Sequence, residues 1–172
     1  MPRYAAFLRG INVGGTRIGK DDLCAPFTAL GFEDVTTFRA SGNVIFDAPK
    51  ASATELAKRI EQRLADDLGF ARATTFVRTA AEMRALAADD PIPREPDQKL
   101  HVWFLLKKPP ASVLKLATDE DQLVIGKREL YWGPAGRMTD SELDLKAVEK
   151  LVGPNTVRTK DTVNQIAERW FS

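Results

Sequence analysis

The chain has 172 residues, 44% of them hydrophobic, which is enough for a core in one large domain or two small ones. Its 25 Lys and Arg residues nearly balance its 24 Asp and Glu residues, and a net charge of +1 argues against a global attraction to nucleic acid or anionic membranes. A single cysteine, Cys24, and a single histidine, His101, exclude an internal disulfide and a Cys/His zinc site within one chain.

The first half of the chain alternates apolar runs with amphipathic helical patterns. Ser52 and Glu55 form a capping box, after which large aliphatic residues recur every four positions up to Gly69. The predicted strands are Tyr4–Ile11, Val35–Phe38, Asn43–Asp47 and Thr74–Arg78. One predicted helix carries Leu23, Phe27 and Leu30 on one face, and a second helix begins at Ser52. This order, βαββαβ, is the split unit of ferredoxin-like folds.

The second half has a similar order of elements. Thr79 and Glu82 open a connecting helix, and the three prolines of Asp90–Gln98 indicate an extended linker. The elements that follow are a strand at Leu100–Leu106, a short helix at Ala111–Ala117, a hairpin of Leu123–Ile125 and Glu129–Trp132, a helix at Ser141–Leu151 and a last helix from about Asp161 to Trp170. This half therefore repeats βαββα with an appended helix, although no clear sequence repeat is visible.

The predicted fold class is α+β, with two ferredoxin-like subdomains and antiparallel sheets. We place the first subdomain at residues 1–79, the connecting helix and linker at residues 80–98, and the second subdomain with its appended helix at residues 99–172. No apolar stretch approaches the ~20 residues that span a bilayer, and the N-terminal residues lack a signal-peptide pattern. We therefore expect a cytoplasmic protein without membrane contact, bound metal or cofactor.

Three sequence blocks indicate a family. They read LRGINVGG at Leu8–Gly15, ALGF at Ala29–Phe32 and ASGNVIF at Ala40–Phe46. In these blocks and their spacing the chain resembles the bacterial family numbered 1697 among the domains of unknown function. In TVRTKDTV, at Thr156–Val163, Arg158 and Thr162 match the family's closing motif, while the three residues from Thr159 to Asp161 depart from it. The resemblance implies a cytoplasmic bacterial protein of two similar α/β subdomains and supplies no established reaction.

Residues Gly14–Lys20 fit the phosphate-loop pattern G-x-x-x-x-G-K between a strand and a helix. Asp21 follows where that pattern has Ser or Thr to hold magnesium, and the predicted sheet is antiparallel, whereas true phosphate loops belong to parallel sheets. A nucleotide- or phosphoryl-directed enzyme at this loop remains an alternative, and the sequence shows no assignable catalytic residue.

Two parts of the sequence are similar to the two motifs of the RNA-recognition fold: the first strand around Phe7, and the stretch Arg39–Phe46. Those motifs present aromatic rings on an open sheet face, but Ser41 and Asn43 stand at two of the three stacking positions. This argues against RNA, and we expect Phe7 and Phe46 in the core. The remaining alternative is an interaction module that uses the sheet face, or Trp132 and Trp170, for self-association or a partner.

The leading hypothesis is a small anionic or phosphorylated ligand at strand ends and loops, since exposed glycine backbone and arginine side chains suit such a ligand. The competing interpretation is that these residues only shape turns. The candidate ligand-binding residues are Arg9, Asn12, Gly14, Gly15, Lys20, Arg39, Ser41 and Asn43, with Arg158 and Thr162 as a secondary pair. Antiparallel pairing of the first and third strands would bring the two main groups together.

Overall fold

The computed structural model describes residues 1–11, 18–39, 42–70, 73–93, 96–136 and 141–172. The described chain divides into two compact units, a first unit of Met1–Ala85 with Arg169–Ser172 and a second unit of Leu86–Glu168. The elements of the first half are β1 (Arg3–Leu8), α1 (Lys20–Ala29), β2 (Glu33–Thr37), β3 (Asn43–Asp47), α2 (Ala53–Leu68), β4 (Thr75–Thr79) and α3 (Ala80–Ala88). The predicted subdomain boundaries near residues 79 and 98 stay a prediction.

The first unit contains a four-stranded antiparallel sheet in the order β2-β3-β1-β4. Alternate residues of β1 belong to the core that α1 and α2 cover, because side chains of a strand point to opposite faces in turn. At the centre of this core the rings of Phe32 and Phe46 stack at 4.9 Å, with Phe27 tilted against Phe46 at 5.4 Å. The core residues are Tyr4, Ala6, Leu8, Leu23, Phe27, Phe32, Val44, Phe46, Leu56, Ile60, Leu64 and Val77.

Local sequence signals place the two later helices of this half. The Ser52 hydroxyl oxygen accepts a hydrogen bond from the Glu55 N–H at 3.1 Å, and α2 ends at Gly69, whose φ is +73°. At α3 the bonds are reciprocal: the Thr79 hydroxyl accepts from the Glu82 N–H, and the Glu82 carboxylate accepts from the Thr79 N–H, both at 3.1 Å. A cap of this kind is typically worth about 1 kcal/mol.

The second unit contains a sheet with the equivalent order, β6-β7-β5-β8. Its elements are β5 (His101–Leu105), a 3₁₀ helix (Ala111–Leu116), β6 (Asp121–Ile125), β7 (Glu129–Pro134), α4 (Leu145–Val152), β8 (Asn155–Thr159) and α5 (Lys160–Trp170). Trp103 and Trp132 lie in its core, edge to face at 6.3 Å. The fold class is confirmed: the chain is an α+β protein with two antiparallel four-stranded sheets of βαββαβ order.

Strand β8 is absent from the sequence-based prediction, which has only a loop motif before the last helix. Four of its five residues are polar, so its apolar signal is weak, and it becomes a strand through full pairing with the apolar β5. The structure also reveals a short repeat: Val77-Arg78-Thr79 and Val157-Arg158-Thr159 end the last strand of each sheet. Arg78 pairs with Ala5 of β1 and Arg158 with Val102 of β5, and both arginines are buried.

Two further helices differ from the predictions. The short helix after Pro110 is 3₁₀, and α4 begins after Asp144, whose carboxylate accepts a hydrogen bond from the Ala147 N–H at 3.1 Å. Ser141, the predicted start, instead donates its hydroxyl to the buried carboxylate of Asp121 at 2.6 Å. Within the described ranges, no helix is both long enough and apolar enough to cross a membrane.

Candidate functional site

The candidate site is built at one edge of the first unit's sheet, where β1 ends and β3 begins. Phe7 of β1 lies opposite Asn43 of β3. One residue further, the Leu8 N–H donates a hydrogen bond to the Gly42 carbonyl oxygen at 2.8 Å. Leu8 at the end of β1 and Gly42 just before β3 therefore lie side by side.

The bend before β3 is held by side-chain and backbone contacts. The Asn43 amide, 1% exposed, donates to the Phe38 carbonyl oxygen at 2.9 Å, and the Phe38 N–H donates to the Asn43 carbonyl oxygen at 3.1 Å. Arg39 has a φ of +60° and Gly42 a φ of +79°, two left-handed residues in one short bend. A Cβ atom at Gly42 would lie 3.0 Å from the Leu8 carbonyl oxygen, so this position requires glycine. Asn43 thus shapes the turn, as the competing interpretation holds.

Three of the predicted cationic residues are exposed, and two of them, Arg9 and Arg39, belong to the chain segments at this edge. The Arg9 N–H donates to the Thr74 carbonyl oxygen at 3.0 Å, which fixes the backbone just beyond β1. The Arg39 guanidinium lies over the Phe38 ring, 5.2 Å from its centroid. Lys20 is the first residue of α1. An exposed arginine whose backbone is held, as that of Arg9 is, can meet an anion with little backbone reordering.

Four of the predicted ligand-binding residues, Asn12, Gly14, Gly15 and Ser41, lie outside the described residues. The phosphate-loop pattern is therefore described only from Ile18 onward. Gly19 has an extended backbone, with φ −71° and ψ 160°, immediately before α1. The strand preceding this pattern belongs to an antiparallel sheet, unlike the parallel sheets that carry phosphate loops.

The secondary pair lies in the second unit and is engaged in its structure. Arg158 is 8% exposed, and its Nη1 donates to the Thr156 hydroxyl at 2.7 Å and the Val157 carbonyl oxygen at 2.9 Å. Burial lowers its pKa to about 10. The Thr159 hydroxyl accepts from the Thr162 N–H at 3.2 Å and donates to the Thr162 hydroxyl at 2.9 Å, which caps α5. These contacts place Arg158 and Thr162 in the framework rather than at a surface site.

The aromatic residues considered for recognition are mostly buried. Phe7 is 0% exposed and Phe46 lies in the core, as expected, so Phe7 offers no stacking surface to RNA. Trp132 is 1% exposed and its indole N–H donates to Asp121 at 2.9 Å, which contradicts its proposed use in self-association. Trp170 is half-buried. Of the two indoles considered for self-association, Trp132 is therefore buried, whereas Trp170 keeps part of its surface exposed.

Two further chemically distinctive groups, His101 and Cys24, have shifted pKa values. His101 packs against Trp132 with ring centroids 5.1 Å apart, and burial followed by the charge of Lys99 lowers its pKa. Burial also raises the pKa of the Cys24 thiol, despite the opposing charge of Lys20. In the part of the chain that the structure describes, no three His, Cys, Asp or Glu side chains are grouped as metal ligands would be.

Sequence reasoning missed the hydrogen-bond cluster around Asp121. This buried carboxylate accepts from the Thr118 hydroxyl at 2.7 Å, the Trp132 indole and the Ser141 hydroxyl. The three hydrogen bonds outweigh burial, which acts in the opposite direction, and hold the pKa of Asp121 below its ordinary value. The donors come from separate segments of the chain, so no local motif announces the cluster.

The fold and the loop edge define an α+β protein of two βαββαβ units with exposed arginines beside a tightly built bend. Residues 1–131 match the family described as Protein of unknown function (DUF1697), and the chain belongs to this family. Among solved structures, the conserved bacterial protein SP0830 from Streptococcus pneumoniae is similar, with a TM-score of 0.77, 24% sequence identity and 97% of each chain covered. That likeness shows the fold. A comparison with curated proteins gives no match. The family resemblance carried by the three sequence blocks is thereby confirmed.

Proposed function

We propose that the protein binds a small anionic or phosphorylated ligand at the edge formed by the end of β1 and the start of β3. The observation that supports this function is the pairing of Phe7 with Asn43, together with the hydrogen bond from Leu8 to Gly42. Both contacts join the segment that carries Arg9 to the bend that carries Arg39, and both arginines are exposed. The cytoplasmic location expected from composition is part of the same proposal.

The chemistry of the edge favours an anion over a neutral ligand. A guanidinium presents several N–H donors in one plane and matches the paired oxygens of a carboxylate or phosphate. Hydrogen bonds to charged groups are worth about 1.5–3 kcal/mol each, but ordering the ligand and exposed side chains offsets much of that gain. The proposal therefore depends on Arg9 and Arg39 both contacting the same ligand.

Thermal denaturation with inorganic phosphate, AMP and ATP, each with and without magnesium, tests this function. At a tenfold excess over Kd a ligand adds about 1.4 kcal/mol to the free energy of unfolding. For a chain of this length this raises Tm by roughly 3–5 °C. We expect at least one phosphorylated ligand to give this shift in the wild type and in Arg63→Gln, whose side chain pairs with Asp67 at 2.8 Å on α2.

The variants Arg9→Gln and Arg39→Gln should each lose most of the shift, because each removes a charged donor at the edge. No shift with any of the three ligands, or equal shifts in these variants and Arg63→Gln, would overturn the proposal. Magnesium-dependent release of phosphate from ATP that is lost in Arg9→Gln would instead support the nucleotide-directed enzyme.

A further inference from the structure

The first unit has a cavity at the other edge of its sheet, where β1 begins and β3 ends. Its volume is about 270 Å³, close to the lower limit of about 300 Å³ for small-molecule pockets. It opens between the sheet edge, the start of α3 and the last residues of the chain. Its lining includes Arg3, Asp47, Ala80, Arg84, Trp170 and Phe171.

The acidic side chain in this cavity is already neutralised. Arg3 pairs with Asp47 through two hydrogen bonds, Nε to Oδ1 at 2.7 Å and Nη2 to Oδ2 at 3.1 Å, and the two residues lie opposite each other on β1 and β3. The bond from Arg3 holds the pKa of Asp47 below its ordinary value. A cation would therefore have to displace Arg3, and Arg3 has little capacity left for an anion.

Arg84 supplies the second positive charge. It is exposed on α3, and among the described residues its guanidinium makes a single long hydrogen bond, from Nη1 to the Phe171 carbonyl oxygen at 3.5 Å. A bond at this limit of distance is weak. Asp34 also approaches Arg3, with Nη2 to Oδ2 at 3.5 Å, and Met1 and Ser172 complete the lining. Arg84 is thus the guanidinium of this cavity that keeps donors for a ligand, and its planar fork matches one carboxylate.

Trp170 forms an apolar wall with a defined orientation. Its ring meets Phe38 edge to face at 5.6 Å, with an interplanar angle of 73°, and the Arg169 guanidinium lies 4.8 Å from its centroid. The indole is half-buried, so part of its surface remains open to a ligand. Aromatic walls with a few well-placed polar groups are characteristic of small-molecule sites.

We infer that this cavity binds a small aromatic or otherwise apolar monocarboxylate. Its carboxylate pairs with the fork of Arg84, and its apolar body lies against Trp170. A phosphate dianion suits the cavity less well, because Arg3 is engaged by Asp47 and only one further guanidinium lines it. This site is separate from the proposed ligand edge and does not depend on that proposal.

Benzoate is the probe, with neutral benzamide as its isosteric control and inorganic phosphate as the anion control. In ¹H–¹⁵N correlation spectra we expect benzoate to shift the Trp170 indole resonance saturably, while the buried Trp103 and Trp132 resonances stay in place. Arg84→Gln should raise Kd for benzoate about tenfold, and benzamide should bind about tenfold more weakly than benzoate. Arg63→Gln should bind benzoate as the wild type does.

Three results would overturn the inference. One is no shift of the Trp170 resonance at benzoate concentrations up to ~10 mM, ten times a millimolar Kd. Another is equal affinity in Arg84→Gln and Arg63→Gln, with the remaining resonances of both variants unchanged to show an intact fold. The third is phosphate displacing benzoate at equal concentration, which would assign the cavity to inorganic anions.

Discussion

Replacing Gly42 with alanine measures how closely the bend before β3 is held against β1. At this position the backbone φ is +79°, and an added Cβ atom would meet the Leu8 carbonyl oxygen at 3.0 Å and the Leu8 Cβ at 3.2 Å. The same residue accepts the 2.8 Å hydrogen bond from the Leu8 N–H. Relief of the close contact must therefore move the bend and lengthen this bond.

Gly31 is a matched control, because its φ is +86° but a Cβ there would meet nothing within 4 Å. Both substitutions carry the cost of a left-handed backbone, about 1–2 kcal/mol for a residue with a Cβ. Only Gly42→Ala adds the weakened hydrogen bond, which contributes about 0.5–1.5 kcal/mol. We expect Gly42→Ala to lower the free energy of unfolding by about 2–3 kcal/mol, and by about 1 kcal/mol more than Gly31→Ala does.

Urea denaturation followed by far-UV circular dichroism gives the two free energies, with the slope of each transition checked against the wild type. Hydrogen exchange at the Leu8 amide should be faster in Gly42→Ala than in Gly31→Ala. Equal losses of stability in the two variants, with unchanged Leu8 exchange, would refute the close packing of the bend on β1 and weaken the argument for a shared edge.

Four further outcomes follow from Asp121, His101 and Cys24. Asp121→Asn should destabilise the protein by about 2–3 kcal/mol, because the amide keeps one acceptor oxygen, loses the charge and cannot accept all three hydrogen bonds; a wild-type-like urea midpoint would contradict this. Since the pKa of Asp121 is lowered in the fold, wild-type stability should also fall as pH drops below 3.8 towards that lowered pKa, and less so in the variant. The pKa of His101 is lowered as well, so the Tm of the wild type should fall as pH drops below the ordinary histidine pKa of 6.5. His101→Phe should flatten this dependence of Tm on pH between pH 6.5 and the lowered pKa. An unchanged dependence in the variant would show that other groups cause it. Alkylation of Cys24 by iodoacetamide at neutral pH should be slower than that of a free thiol and accelerate on unfolding; equal rates would rule out the raised pKa and partial burial.

The candidate site was partly accessible from sequence. The βαββαβ order requires antiparallel pairing of β1 with β3, and this predicts that Arg9 and Asn43 belong to neighbouring chain segments. The same reasoning could not show that the Asn43 amide turns inward to Phe38, or that Arg158 is buried. Side-chain direction at a strand end depends on register and on packing from distant residues, which local patterns do not specify.

Local sequence signals predict the structure correctly where residues close in the chain satisfy each other's hydrogen-bonding groups. The capping pairs Ser52–Glu55 and Thr79–Glu82, and the stop at Gly69, determine their helices from within a few residues, because helix ends are satisfied by nearby groups. Strand β8 and the Arg3–Asp47 pair, 44 residues apart in the chain, exist only once the sheets have formed. Tertiary structure decided these features because the free energy that holds them comes from partners that the sequence places far away.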